Sequence, residues 1–371
     1  MLGDFMSLTE FLAKTKENIV KQPEFVTATL LMADRDIQSK VIPLLERRTF
    51  EKIFLVGCGD SYFAGQGIQF VFNKYVKLPT FAENAFEFKE YENIVDNESL
   101  VIGISAGGRT SATIYALKKA KEKGAKTVSI TNFQESPITK VSDAIIITRV
   151  PEPVGPPTST TTTALVAGYL LAINMGYSYG IIDDDKFTYL RNALISLPTK
   201  MKWIMSDKNK ETNMTASKAF SKSNDAYIIG GGPAFVTAEL INALMKEIVL
   251  IHSEAIEIEE FCHYGLIPVE KDTPIILFAR SGNSYNRAKE ISQVLKNIGA
   301  RIYVVTDKYE EFRELADYII IAPEGIPEEF SPVVDIIPTQ FLSLHWSIDR
   351  GLKLKGFRYG DMISKLIGYL E

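Results

Sequence analysis

The chain reads as an α/β protein made of two tandem, doubly wound parallel sheets, with a helical lead-in and a C-terminal tail. Two observations carry this reading. Short apolar runs ending in glycine-rich turns alternate with helix-period segments, the pattern of parallel strands covered by crossover helices. The second half also replays the first at an offset of about 174 residues, the mark of one fold used twice. Val56-Gly57-Cys58-Gly59 answers to Ile229-Gly230-Gly231-Gly232, and Gly107-Gly108 to Ser281-Gly282. Gly124-Ala125 with Thr131-Asn132 answers to Gly299-Ala300 with Thr306-Asp307, and Asp143 to Asp317 ahead of Ile319-Ile320-Ile321.

Taken in order, residues 1–44 form the helical lead-in, broken at Gln22-Pro23-Glu24 and striped by Phe25, Ala28, Leu31 and Met32. The first sheet domain occupies 45–190. Ile53-Phe54-Leu55-Val56 is its first strand, ending in Gly57-Cys58-Gly59-Asp60-Ser61 before a helix. Leu100 to Ile104 is another, ending in Ser105-Ala106-Gly107-Gly108-Arg109-Thr110 and again entering a helix. Thr127–Thr131 and Ala144–Ile147 continue the alternation. Residues 191–224, helical and then rich in Lys, Ser and Asn, connect to the second domain at 225–340, and 341–371 form a helix and tail.

Composition narrows the function. The 371 residues are 46% hydrophobic and 23% charged, as in soluble globular proteins, and a net charge of -5 argues against nucleic acid or an anionic membrane as partner. Cys58 and Cys262 make neither a disulfide framework nor a CxxC spacing, which fits a reducing cytoplasm. No signal peptide, metal cluster or cofactor fingerprint is expected. The uncharged run Thr158 to Ile182 is long enough to raise a membrane helix, but Asn174, its tyrosines and its threonines favour a helix buried between a sheet and a partner surface.

In an open parallel sheet, ligands bind beyond the carboxyl ends of the strands, where helix N-termini present unpaired N–H groups. Ser105 and Thr110 add hydroxyl donors, and Gly107 and Gly108 let the backbone close on an anion. There is no Gly-Lys-Ser/Thr ending and no complete dinucleotide fingerprint, so a small phosphorylated metabolite is favoured over ATP or NAD. Lys246 to Gly265 holds two of the three histidines, His252 and His263. Read as one helix, it places Ala243, Glu247, Leu250, Ile251 and Glu254 on a shared face, a carboxylate on a largely apolar surface.

These residues resemble the sugar isomerase (SIS) domain family, and within it the double-SIS isomerase half of glucosamine-6-phosphate synthase. Lys246-Glu247-Ile248, Ile251-His252, Glu254-Ala255, Glu260 and His263 follow the family pattern KEI-x2-IH-x-EA-x4-E-x2-H without a gap. Cys58 to Ser61 resembles its CGTS turn, Glu83 to Phe88 its E-x-A-S-E-F strand, Ser105 to Thr110 its SQSGET phosphate loop and Glu152 to Leu165 its E-x-GVASTKAFTTQL segment. The resemblance implies two flavodoxin-like SIS domains and a small-molecule sugar phosphate as ligand. It assigns Glu247 to carry a proton between C1 and C2, His263 to open the sugar ring, and Lys365 to assist the carbonyl. Gly59, Asp60, Ser61, Ser105, Ala106, Gly107, Gly108, Arg109, Thr110, Gly155 and Thr158 would bind the substrate and its phosphate. The protein would be a homodimer with His263 entering the neighbour's site, no cofactor and no metal.

Departures from the pattern are as informative. Ala106, Gly107 and Arg109 replace a glutamine, a serine and a glutamate, so two polar contacts are lost and a cation appears; Leu240, Leu244 and Ser159 replace charged residues. The spacing to Lys365 is longer than in the synthase. Residues 1–44 are too few for a glutaminase domain and hold no Cys at position 2, so glutamine is not the expected nitrogen source. What remains open is deamination with isomerisation of an aminosugar phosphate, which is favoured, against hexose-phosphate isomerisation or fructosamine-phosphate cleavage. A non-catalytic sugar-phosphate-binding regulator is the alternative of another class.

Overall fold

A computed structural model describes residues 8–46, 49–92, 94–151 and 156–352. Helix α1 (Leu8–Asp36) continues through a π-turn (Ile37–Val41) into α2 (Ile42–Leu45). The first repeat is β1 (Lys52–Gly57), α3 (Asp60–Tyr75), β2 (Thr80–Asn84), α4 (Ala85–Tyr91), β3 (Ser99–Ile104), α5 (Ser111–Glu122), β4 (Lys126–Thr131), β5 (Ala144–Ile147) and α6 (Ser159–Ser178). Helices α7 (Asp184–Ile204) and α8 (Asp207–Phe220) precede the second, which opens with β6 (Asp225–Gly230), α9 (Pro233–Leu244), β7 (His252–Glu257), α10 (Ile258–Glu260) and β8 (Pro274–Ala279). It closes with α11 (Tyr285–Ile298), β9 (Arg301–Thr306), α12 (Tyr309–Phe312), β10 (Tyr318–Ile321) and α13 (Pro332–Asp349).

The strands are near-continuous apolar runs because both of their faces are covered. Ile53, Phe54, Leu55 and Val56 of β1 and Ile275, Ile276, Leu277 and Phe278 of β8 have no solvent exposure. Every strand pairing is parallel. The first sheet runs β2-β1-β3-β4-β5, and the second, read from its β7 edge, repeats that order as β7-β6-β8-β9-β10. Between β1 and β3, and between β6 and β8, the order reverses, leaving a crevice at the carboxyl ends of the central strands. Phe54, Val56, Phe88, Ala116 and Leu117 pack one core on the first sheet, and Ile229, Phe261, Ile275, Leu277 and Val304 one on the second. The duplication extends to individual torsions: Gly59 caps α3 at φ 53°, ψ −131°, and Gly232 caps α9 at φ 58°, ψ −129°.

The chain separates into two compact units, one from the described residues from 21 to 153 and from 159 to 198, the other chiefly from those from 199 onward.

Five local expectations are corrected. Pro23 does not break α1, because an interior proline removes a single helical hydrogen bond and the turns on either side hold. The buried stripe of its later part is Val26, Leu30 and Ala33; Leu31 and Met32 lie on the exposed face. Glu83 to Phe88 is not one strand, since β2 stops at Asn84, whose side chain caps α4 by accepting from the Phe86 N–H. Residues 250–257 are not helical either: Leu250 turns left-handed and His252–Glu257 becomes the edge strand β7. The uncharged run is covered inside its own unit, where α6 packs on α3 and is buried from Ser159 to Gly176, so it makes no case for a partner surface. Among the described residues no helix is long and apolar enough to cross a membrane.

Candidate functional site

In the first unit the β3–α5 loop sits on one lip of the crevice. All of β3 is buried, and the strand continues one residue further as the Ser105 N–H donates to the Ile130 carbonyl (3.1 Å). The Gly108 N–H then closes a turn onto the Ser105 carbonyl (3.0 Å), and the Gly108 carbonyl accepts from Ile138 (3.0 Å). Gly108 has φ +63°, and a Cβ there would stand 2.2 Å from Ser136 Oγ and 2.9 Å from Thr131 Oγ1. Only glycine fits. Ser105 Oγ and the half-buried Thr110 Oγ1 lie 3.1 Å apart and share a hydrogen bond, so Thr110 does not cap α5 with its side chain. The N–H groups of Gly107 and Arg109 have no partner among the described residues. Ala106 is half-buried and the Arg109 side chain is exposed. The result is an uncapped helix N-terminus faced by two hydroxyls and two unspent N–H groups, which is the chemistry of an anion cradle.

The other lip is the turn after β1. Gly59 is exposed, and Asp60 and Ser61 are half-buried in the first turn of α3. The Asp60 carboxylate accepts from Thr161 Oγ1 (3.2 Å) and makes no ion pair among the described residues. It is hemmed in by protein without being sealed from solvent, and this burial pushes its carboxyl up to about 7, the Thr161 hydroxyl pulling the other way. Glu83, at the end of β2, is half-buried and likewise raised, first by burial and then by Glu92 and Glu87. Asp60 is thus poised to hold or release a proton near neutral pH. Thr161, its partner, escaped notice in the sequence; the signal was a hydroxyl in the first turn of an otherwise apolar helix. Thr158 is buried just ahead of α6. Gly155 and Lys365 lie outside the described residues.

In the second unit the two acid–base candidates both sit in widened helical turns. Helix α9 passes into a π-turn, Met245–Val249, that carries Glu247, and the Leu250 N–H bonds back to the Met245 carbonyl (2.9 Å) while Leu250 itself is left-handed at φ 57°. Glu247 is half-buried between the fully buried Met245 and Ile248. A second π-turn, Phe261–Gly265, carries His263. Single π-turns of this kind re-aim side chains and recur at functional sites. The His263 side chain is 70% exposed with Nε2 3.9 Å from Glu259, whose carboxylate Arg287 grips through Nε (2.8 Å) and Nη2 (2.6 Å) and holds below the usual range. His263 therefore faces outward from its own unit beside exposed Tyr264 and Ile267.

Comparison with known proteins agrees with this architecture. The SIS domain family matches residues 48–174 and 219–349, one stretch in each repeat. Glutamine–fructose-6-phosphate aminotransferase (isomerizing) of Caldanaerobacter subterraneus is 30% identical over 303 residues, 81% of this chain and 49% of that protein. The protein of the same name from Pyrococcus horikoshii is 31% identical over 318 residues, 84% of this chain and 51% of that protein. The chain thus spans about half the length of the curated relatives it matches. Among solved structures, the C-terminal domain of glucosamine-fructose-6-phosphate aminotransferase from Francisella tularensis superposes with a TM-score of 0.85 at 26% identity, covering 91% of this chain and 96% of that one. With a match on each of two repeats that share strand order and turn torsions, the chain belongs to the SIS domain family.

Proposed function

We propose that the protein is a phosphosugar aldose–ketose isomerase acting on an aminosugar phosphate of the glucosamine 6-phosphate type, with loss of ammonia to give fructose 6-phosphate. The observation that carries the reading is the cradle at Ser105–Thr110, whose uncapped α5 terminus, paired hydroxyls and Gly107 and Arg109 N–H groups, without partners among the described residues, suit a phosphate monoester. Glu247 takes the C2 proton of the open-chain sugar and returns it at C1. This turns the 2-amino aldose into an enolamine and then a 2-imine, which water hydrolyses to the ketone and ammonia. Asp60, where the family turn has threonine, places a carboxylate on the crevice's other lip that can pair with an ammonium substituent, and this favours an aminosugar phosphate over a hexose phosphate that has no amino group.

His263, supplied by a second copy of the chain, opens the ring; its exposure and its apolar neighbours Tyr264 and Ile267 support that role. Lys365 assists the carbonyl, a role that follows from the resemblance of the tail. The test is a panel of glucosamine 6-phosphate, glucose 6-phosphate, mannose 6-phosphate and a fructosamine phosphate, read by ammonia release and by deuterium uptake at C2. Ammonia from glucosamine 6-phosphate supports the assignment. Turnover of glucose 6-phosphate alone, or binding of every sugar phosphate without exchange, refutes it.

A further inference from the structure

The second repeat contains the counterpart of the cradle, the loop from Arg280 to Ser284 between β8 and α11, and α11 has no side-chain cap either. Here the loop is already filled. The Asn283 N–H donates to Glu328 Oε1 (3.0 Å) and Asn283 Nδ2 to Glu328 Oε2 (3.2 Å). The Ser281 N–H and hydroxyl both donate to Asp307 Oδ1 (2.9 and 3.1 Å). The Glu328 carboxylate lies so close over Gly282 that a Cβ on that glycine would stand 2.3 Å from its Cδ and Oε1. It arrives from a segment 45 residues away in sequence. That segment is pinned at Pro323, whose carbonyl accepts from Nη1 of the buried Arg280 (3.0 Å).

The two repeats differ at the positions that matter. Aligning α5 at Ser111 with α11 at Tyr285 puts Gly107, Gly108 and Arg109 opposite Ser281, Gly282 and Asn283. The N–H groups of Gly107 and Arg109, without partners among the described residues, are therefore the ones that Asp307 and Glu328 occupy in the second repeat. Counting four residues back in sequence from Ser159 at the start of α6 and from Pro332 at the start of α13 pairs Gly155 with Glu328, and counting one residue on from the ends of β4 and β9 pairs Asn132 with Asp307. A glycine and a neutral amide have become two carboxylates.

We propose that the second cradle is an oxyanion site which the chain plugs with its own Glu328 and Asp307 carboxylates, barring phosphate monoesters and inorganic phosphate from it. A tethered carboxylate has an effective local concentration far above that of a free metabolite, so it wins the competition at little cost in contacts. The negative charge it leaves over the loop repels any second dianion.

The experiment restores the first repeat's residues: Glu328→Gly combined with Asp307→Asn, with Glu328→Ala alone as the milder variant. Inorganic phosphate is titrated into wild type and variants by calorimetry, and thermal midpoints are followed against phosphate concentration. The expected result is one phosphate equivalent more per chain in the double variant than in wild type. Its Kd should be on the order of 1 mM, the affinity a few charge-assisted hydrogen bonds supply against the cost of immobilising a free ion. Because a ligand that binds only the folded state raises its midpoint, even a destabilised variant reports binding through its phosphate dependence. Variants whose equivalents and midpoints match wild type in phosphate overturn the proposal, as does a wild type that already holds the extra equivalent. The readout is the difference between variant and wild type at the second repeat, so it is independent of whether the first cradle takes a sugar phosphate.

Discussion

Gly108→Ala tests whether the first cradle is a built site or an ordinary turn. At φ +63° an alanine pays about 1–2 kcal/mol for the left-handed conformation. Its Cβ would also stand 2.2 Å from Ser136 Oγ and 2.6 Å from Ser136 Cβ, and because Ser136 is itself buried the loop has to move, adding about 1–3 kcal/mol of overpacking. The expected loss is about 2–5 kcal/mol, which for a domain of this size lowers the thermal midpoint by roughly 5–15 °C. The displacement also spoils the Gly108 N–H to Ser105 carbonyl turn that sets the two hydroxyls 3.1 Å apart, so sugar-phosphate affinity should fall together with stability. Gly107→Ala is the control: its Cβ meets nothing within 4 Å and its φ is ordinary, so stability should hold within about 0.5 kcal/mol. Denaturant melts and a phosphate-binding isotherm on both variants decide the matter. A Gly108→Ala protein with wild-type stability and affinity would refute the geometry.

Other consequences are as direct. Glu247→Gln should keep sugar-phosphate binding and lose about 10²- to 10⁴-fold in C2 deuterium exchange, and wild-type exchange would remove Glu247 from the chemistry. Removing the hydroxyls of Ser105 and Thr110 together should weaken a sugar phosphate by about 1.5–3 kcal/mol per hydroxyl and leave the unphosphorylated sugar nearly unchanged; equal losses for both ligands would reduce the loop to a turn. Asp60 carries a folded-state value near 7 against an ordinary 3.8, so its contribution to stability is complete below the unfolded value and is lost as pH rises through the folded one. Asp60→Asn should therefore gain stability over wild type between about pH 4 and 7, and parallel melting curves across that window would contradict the assignment. Glu247→Gln and His263→Ala chains, each inactive, should regain activity when co-refolded if His263 serves a neighbouring chain; heterodimers without activity would place it elsewhere.

Local signals were enough for much of this fold. Apolar runs located β1, β3, β4 and β5, and the repeat pointed to counterparts in the second sheet, because a strand covered on both faces can hold little else; β2 and β7 were not found this way. The repeat predicted the shared strand order, since matching turns at matching distances leave few other ways to wind a parallel sheet. The Ser105–Thr110 loop stood out for a similar reason, its serine, glycines and threonine falling within six residues, although Ile130 and Ile138 also hold its backbone.

Features decided by distant partners could not be read this way. The stretch after Val249 carries a helical pattern of apolar residues, yet Leu250 leaves the helix because β6 offers β7 a full parallel pairing from Asp225–His252 to Gly230–Glu257. The face of α1 that is buried, Val26 and Leu30 rather than Leu31 and Met32, is chosen by what packs against it and not by hydrophobicity alone. The Asp60 partner Thr161 lies 101 residues away, and Glu328 reaches its loop across 45. Sequence determined the backbone plan, whose causes are local and repeated. Only tertiary structure decided which carboxylates are buried, paired or seated in a loop, because desolvation and hydrogen bonding depend on neighbours that chain order does not reveal.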